Sequence, residues 1–196
     1  MFLTIALDLD EVLAEFFDAL LKYHYKKTGK LYTKQDFPKW EWWPLLGETK
    51  EQAIKNVDEF HESHSLEDIS PIKCAEQAIK ELSKNNELII ITSRPIRFKE
   101  KAESWIYHHF KNKINVINAG DFHKGQASTK AEICKELGIF ILIEDSPQTA
   151  LECADAGIKV ILFNYPWNKA LLHKNIIRVN NWDEAMRELN KLDIKT

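Results

Sequence analysis

The run Phe2-Leu3-Thr4-Ile5-Ala6-Leu7 carries five apolar side chains and one Thr, and passes directly into the acids of Asp8-Leu9-Asp10-Glu11. A run of this length suits a strand buried on both faces, the signature of a parallel sheet covered by helices. The same pattern recurs at Leu88-Ile89-Ile90-Ile91, at residues 114–117, at 139–143 and at 160–163. Between these runs, apolar residues at helical spacing predict helices over 75–84, 98–110, 129–137 and 148–156. Residues 176–179 predict an edge strand and 182–192 a closing helix. Alternating strands and helices imply right-handed β-α-β units and a parallel sheet.

One stretch interrupts the alternation. Residues 12–28 place Leu13, Phe16, Phe17, Leu20, Leu21 and Tyr25 at helical spacing, and the pattern stops at Gly29. An irregular aromatic stretch (32–47), a polar helix (49–61) and Pro71 follow. The expected fold is therefore α/β: a doubly wound, Rossmann-like parallel core formed by residues 1–14 and 72–196. Residues 15–71 are expected to form a small helical cap between the first and second strands.

The 196 residues are enough to bury a core without staples. With 27 basic and 30 acidic residues, net charge −3 and no long Lys/Arg stripe, the composition argues against a nucleic-acid polymer as partner. No apolar run approaches the ~20 residues of a bilayer span, and the N-terminus lacks a signal peptide's basic region. Cys74, Cys134 and Cys153 are odd in number and lack C-x-x-C spacing, which fits reduced thiols and a cytoplasmic location.

The chemistry lies where the strands end. The first apolar run ends at Asp8 and Asp10, the second at Thr92 and Ser93, and the run at 139–143 at Glu144 and Asp145. In an open parallel sheet all carboxyl ends lie along one edge, where ligands bind. Clustered acids repel one another and are costly to desolvate, so they point to a cation or a shared proton. Carboxylates with waters and a substrate phosphate are what Mg²⁺ prefers. A carboxylate can also attack phosphorus and form an aspartyl phosphate.

These residues resemble the haloacid-dehalogenase superfamily of phosphatases along the whole chain. Asp8-Leu9-Asp10-Glu11-Val12 is similar to its D-x-D-x-[TV] motif, Ile91-Thr92-Ser93 to the second motif, Lys130 to the third and Glu144-Asp145 to the fourth. The stretch from Asp8 to Phe16, with Thr92-Ser93-Arg94-Pro95 and Ile143-Glu144-Asp145, most resembles the 5'(3')-deoxyribonucleotidase family, whose members carry a small helical cap. The resemblance implies Asp8 as nucleophile and metal ligand. It implies Asp10 as general acid and base, with its backbone carbonyl on the metal. Thr92, Ser93 and Lys130 would hold phosphoryl oxygens, and Asp145 would bind Mg²⁺, with Glu144 a second ligand or an acceptor for a bound water or for Lys130. Two departures stand out: Glu11 where the family often has Gly, and Glu144 where it often has Asp. Lys124 competes with Lys130 for the lysine role; Lys130 is preferred because it opens a helix leading into the 139–143 strand.

Substrate contacts are expected from Phe16, from one of Trp40, Trp42 and Trp43, and from Arg94, with Arg97 also near the rim. An aromatic stacked on a base is worth about 1–3 kcal/mol, although core packing is an equal use for these rings. His61, His64, His108 and His109 are read as surface histidines, since H-x-x-H without a third ligand does not make a metal site. The four lysines of 22–30 complement the dipole of the first helix. The expected activity is thus Mg²⁺-dependent hydrolysis of a small phosphorylated metabolite, foremost a nucleoside monophosphate. The alternative is a phosphatase or mutase of sugar phosphates. Oligomeric state is open, a homodimer being one option.

Overall fold

The structure, a computed structural model, describes residues 3–63, 69–119 and 128–192. Six strands form one parallel sheet in the order β3-β2-β1-β4-β5-β6. They are β1 (Leu3–Leu7), β2 (Asn86–Thr92), β3 (Asn115–Asn118), β4 (Ile141–Glu144), β5 (Lys159–Phe163) and β6 (Ile176–Val179). The chain winds outward from β1 through β2 to β3, then returns to β4 on the other side of β1. That reversal makes the carboxyl ends of β1 and β4 the switch point where such sheets open a crevice.

Residues alternate across the sheet and divide the core in two. Leu7, Ile90, Ile143 and Ile161 face a cluster with Ala78, Ile79, Trp105, Ile106, Trp182 and Ala185. These come from α4 (Ala75–Leu82), α5 (Lys99–Phe110) and α8 (Trp182–Leu192). Ala6, Ile91, Leu142 and Val160 face the opposite cluster, covered by α6 (Lys130–Glu136) and α7 (Pro147–Asp155). Burial on both faces is why these strands read as unbroken apolar runs.

Between β1 and β2 lie α1 (Phe16–Thr28), the short α2 (Trp43–Leu46) and α3 (Lys50–Glu62). Phe17, Leu20, Phe37, Leu46 and Phe60 belong to the same apolar cluster as Leu9, Val12 and Leu13, so the inserted helices are continuous with one side of the core. Gly29 closes α1 in the left-handed conformation (φ 72°), donating its N–H to the Tyr25 carbonyl, as the sequence pattern predicts.

Three details correct the sequence reading. The first helix begins at Phe16, not Val12, because Leu9–Ala14 fold into a tight turn in which the Leu13 and Ala14 N–H groups both donate to the Leu9 carbonyl. Val12 and Leu13 are apolar because the turn is buried, not because it is helical. The fourth strand is displaced towards Glu144, and Phe140, expected inside it, is exposed. His61, read as a surface residue, is 2% exposed, stacked against Phe16 (5.2 Å) and packed against Phe98 (4.9 Å). His64 and Lys124 lie outside the described residues.

Candidate active site

Asp8 extends the β1–β4 ladder by one bond, its N–H donating to the Ile143 carbonyl at 2.9 Å. This places its carboxylate at the switch point. Oδ1 accepts from the Leu9 N–H (2.8 Å) and lies 2.7 Å from Lys130 Nζ, leaving Oδ2 engaged by neither. Lys130 is brought there by helix capping. Thr129 accepts from the Glu132 N–H while Glu132 accepts from the Thr129 N–H, so Lys130 becomes the first helical residue of α6.

Glu144 ends β4 fully buried. Its Oε2 accepts from Lys130 Nζ (2.8 Å), and its Oε1 accepts the N–H groups of Asp145 (3.1 Å) and Ser146 (3.0 Å). Asp145 is also buried, and Asp8, Glu144 and Asp145 each offer a carboxylate oxygen within 4.8 Å of the other two. Burial first, then the charge of Glu144, push the Asp8 carboxyl up to about 7, with Lys130 opposing. Asp145 is raised well above the ordinary range by burial and by Glu144, Asp8 and Glu11. Burial alone lowers the pKa of Lys130, but the charges of Asp8 and Glu144 outweigh it and hold the ammonium above the usual lysine value. Three carboxylates facing one ammonium leave negative charge that a divalent cation with a taste for hard oxygen donors would neutralise.

Asp10 points elsewhere. Arg94 Nε and Nη2 donate to its two oxygens at 2.9 and 2.5 Å, a fork-on-fork pair. The Arg94 guanidinium also lies 5.5 Å from the centre of the Phe16 ring. Thr92, fully buried at the end of β2, accepts the Arg94 N–H on its hydroxyl (3.2 Å). Ser93 is exposed beside it. The structure therefore brings Asp8, Lys130, Glu144 and Asp145 into one cluster and joins Asp10 to Arg94 next to it.

The inserted segment reaches this crevice through Glu11. Glu11 turns the chain at φ 59° and caps α1, accepting the Phe17 N–H on both oxygens (3.1 and 2.9 Å). Lys34 Nζ lies 3.1 Å from Glu11 and 3.0 Å from Asp18. Burial raises the Glu11 carboxyl to about 8 although Lys34 pulls it down. Among the tryptophans, Trp42 packs on Phe17 (5.8 Å) and Trp43 on Trp42 (6.2 Å), which are packing contacts. Trp40 meets Trp167 edge-on at 6.5 Å. Arg97 pairs with Asp58 of α3, and His108 and His109 lie on α5 against each other and Trp105.

Sequence reasoning missed the turn after β5. Trp167 Nε1 donates to Asp145 Oδ2 (3.0 Å), and Asn168 Nδ2 donates to the backbone carbonyls of Asp145 and Phe163, both at 2.7 Å. Tyr165 donates its hydroxyl to the Glu11 carbonyl (2.9 Å) and stacks on Trp167 at 4.7 Å. The one signal in the sequence was position, because residues 164–168 follow a strand's carboxyl end just as Asp8 does, and it did not single out Trp167.

A doubly wound sheet with two acids after the first strand, a hydroxyl at the end of the second, a helix-start lysine and acids at the end of the fourth is the haloacid-dehalogenase-like fold, with its acids and lysine gathered where phosphoryl transfer would need them. Within it the chain belongs to the family described as 5' nucleotidase, deoxy (pyrimidine), cytosolic type C protein, whose family model matches residues 2–192. It is 34% identical over 117 residues to YqfW of Bacillus subtilis, a match covering 59% of this chain and 58% of that protein's length. It is 28% identical over 142 residues to Nucleotidase CA_C3379 of Clostridium acetobutylicum, covering 71% of each chain. The haloacid dehalogenase-like family protein SP0104 from Streptococcus pneumoniae superposes with a TM-score of 0.68 at 16% identity, over 96% of this chain and 98% of that one. YfnB from Bacillus subtilis, solved bound to magnesium, superposes with a TM-score of 0.61 at 16% identity, over 96% and 99% of the chains.

Proposed function

We propose that this chain is a Mg²⁺-dependent nucleotidase that hydrolyses (deoxy)nucleoside monophosphates through a phosphorylated Asp8. The observation carrying this reading is the buried cluster in which Lys130 bridges Asp8 and Glu144 beside Asp145. Mg²⁺, when bound by Asp8, Asp145 and the backbone carbonyl of Asp10, supplies positive charge against the phosphate oxygens. Glu144, with both oxygens already engaged, serves to orient Lys130 and is a weaker candidate for the cation.

The chain's own residues then do the following. Asp8 Oδ2 attacks phosphorus, and the bond from phosphorus to the nucleoside oxygen breaks. Asp10 delivers a proton to that oxygen, for which Arg94 has to release one of the two carboxylate oxygens it grips. Lys130 and the hydroxyls of Thr92 and Ser93 take up charge on the equatorial oxygens. In the second half Asp10 removes a proton from the attacking water, whose oxygen bonds to phosphorus as the bond from phosphorus to Asp8 Oδ2 breaks, releasing inorganic phosphate and the Asp8 carboxylate. Phe16 and Trp40 are the aromatic candidates for the base. The family and the relative named a nucleotidase favour nucleotides over sugar phosphates.

The test is phosphate release from a panel of 5' and 3' nucleotides, deoxynucleotides and sugar phosphates, with Mg²⁺ and with chelator. Metal-dependent release from nucleoside monophosphates is expected, with Asp8→Asn inactive but folded. Hydrolysis of artificial aryl phosphates alone overturns the substrate reading, and more than a few per cent activity in Asp8→Asn overturns the covalent one.

A further inference from the structure

Asp145 is held from both ends by the turn after β5. Asn168 anchors its backbone carbonyl, while Arg178 of β6 donates to Asn168 Oδ1 (2.6 Å) and to the Asn168 carbonyl (2.8 Å). The carboxylate is fixed separately, by the Trp167 indole N–H on Oδ2. An indole nitrogen can only donate, so this bond commits Oδ2 and leaves Oδ1 as the less encumbered oxygen. Trp167 is itself immobilised, stacked on Tyr165 within 9° of parallel and meeting Phe17 edge-on at 5.6 Å. Packing alone would be served equally by a phenyl ring.

We propose that Trp167 is a positioning residue for the cation, orienting Asp145 through its indole N–H. This rests on the metal reading of the site given above. Partners that orient a metal ligand are worth about 10- to 100-fold in affinity. Mg²⁺ demands near-ideal octahedral geometry whereas Ca²⁺ tolerates irregular coordination. A carboxylate released from its orienting bond therefore loses Mg²⁺ more than Ca²⁺.

Calorimetric titration of the full chain with Mg²⁺ and with Ca²⁺ tests this. Trp167→Phe keeps an aromatic ring against Tyr165 and Phe17 and removes the N–H together with the five-membered ring that carries it. It is expected to bind Mg²⁺ about 10- to 100-fold more weakly, with a smaller loss for Ca²⁺. Trp105→Phe is the control: it deletes an equivalent indole bond, to the Ile69 carbonyl (2.9 Å), away from the acids, and should leave Mg²⁺ affinity unchanged. A second measurement needs no variant. Among the indole N–H resonances of the six tryptophans of the ¹⁵N-labelled chain, at least one is expected to move along the Mg²⁺ binding isotherm. Unchanged Mg²⁺ affinity in Trp167→Phe, an equal loss for both cations, or no indole resonance following the isotherm overturns the proposal while the metal reading stands. Failure of the unsubstituted chain to bind Mg²⁺ overturns both.

Discussion

Lys130 and Glu144 form an ion pair of 2.8 Å in which the ammonium is 4% exposed and the carboxylate not exposed at all. Neither group has bulk water as an alternative partner, so each depends on the other, Lys130 also on Asp8 and Glu144 also on the N–H groups of Asp145 and Ser146. Removing one partner of such a buried pair typically costs about 3–5 kcal/mol, because the charge left behind is uncompensated. Lys130→Met in chelator at pH 8 is expected to lose stability of that order by urea denaturation. Millimolar Mg²⁺ should recover part of it, since a ligand bound only by the folded state stabilises that state. A variant as stable as the unsubstituted chain would show that the three acids do not need the ammonium.

His61 gives the protein a pH dependence of defined sign. Burial, then the positive charges of Arg94, Lys101 and Arg97, hold its pKa down to about 2. An unfolded histidine titrates near 6.5, so below that pH the unfolded chain takes up a proton that the folded chain refuses. The contribution is fully present above pH ~6.5 and is lost as pH falls, by at most about 1.4 kcal/mol per pH unit. His61→Phe, which preserves the stack on Phe16 and Phe98, should lose less stability than the parent between pH 7 and pH 5. Parallel losses in denaturation curves would refute this.

Trp182 secures the turn that carries the acids from the far end of the chain. Its indole N–H donates to the Val12 carbonyl at 2.9 Å, with both residues fully buried. Trp182→Phe strands that carbonyl, at a cost of about 1–3 kcal/mol. The midpoint of chemical denaturation should fall accordingly, and a loss below about 0.5 kcal/mol would mean that the carbonyl finds another donor.

Trp40 and Trp42 should separate by phenotype. Trp42 is partly buried and packs on Phe17 against the shared core, whereas Trp40 is 37% exposed and leans on Trp167. Trp40→Ala is expected to raise KM for a nucleoside monophosphate about fivefold or more, from a stacking energy of at least ~1 kcal/mol. Trp42→Ala should lower stability instead. The reverse pattern in steady-state kinetics and melting curves would place Trp42 on the substrate.

The strands, their common edge and the acids at that edge were legible in one dimension because burial on both sheet faces leaves unbroken apolar runs, and because chain order fixes which residues follow them. The start of α1 was not, since Val12 and Leu13 are apolar for a buried turn and mimic helical spacing. His61 was misread because burying an imidazole depends on rings brought by α1 and by the turn before α5. Trp167 was overlooked because nothing local marks an indole as the partner of a carboxylate 22 residues earlier.

Local sequence thus determined the architecture and brought Asp8, Asp10, Thr92, Glu144 and Asp145 to one edge, because strand direction and the carboxyl-end rule need only hydrophobic pattern and chain order. Tertiary structure decided the pairings: it chose among the uses open to Glu144 by joining it to Lys130, and it joined Lys130 with Asp8, Arg94 with Asp10, Trp167 with Asp145 and Lys34 with Glu11. The physical reason is that a charge or donor at a dry sheet edge takes its partner from whatever the fold delivers within about 3 Å, and that distance has no counterpart along the chain.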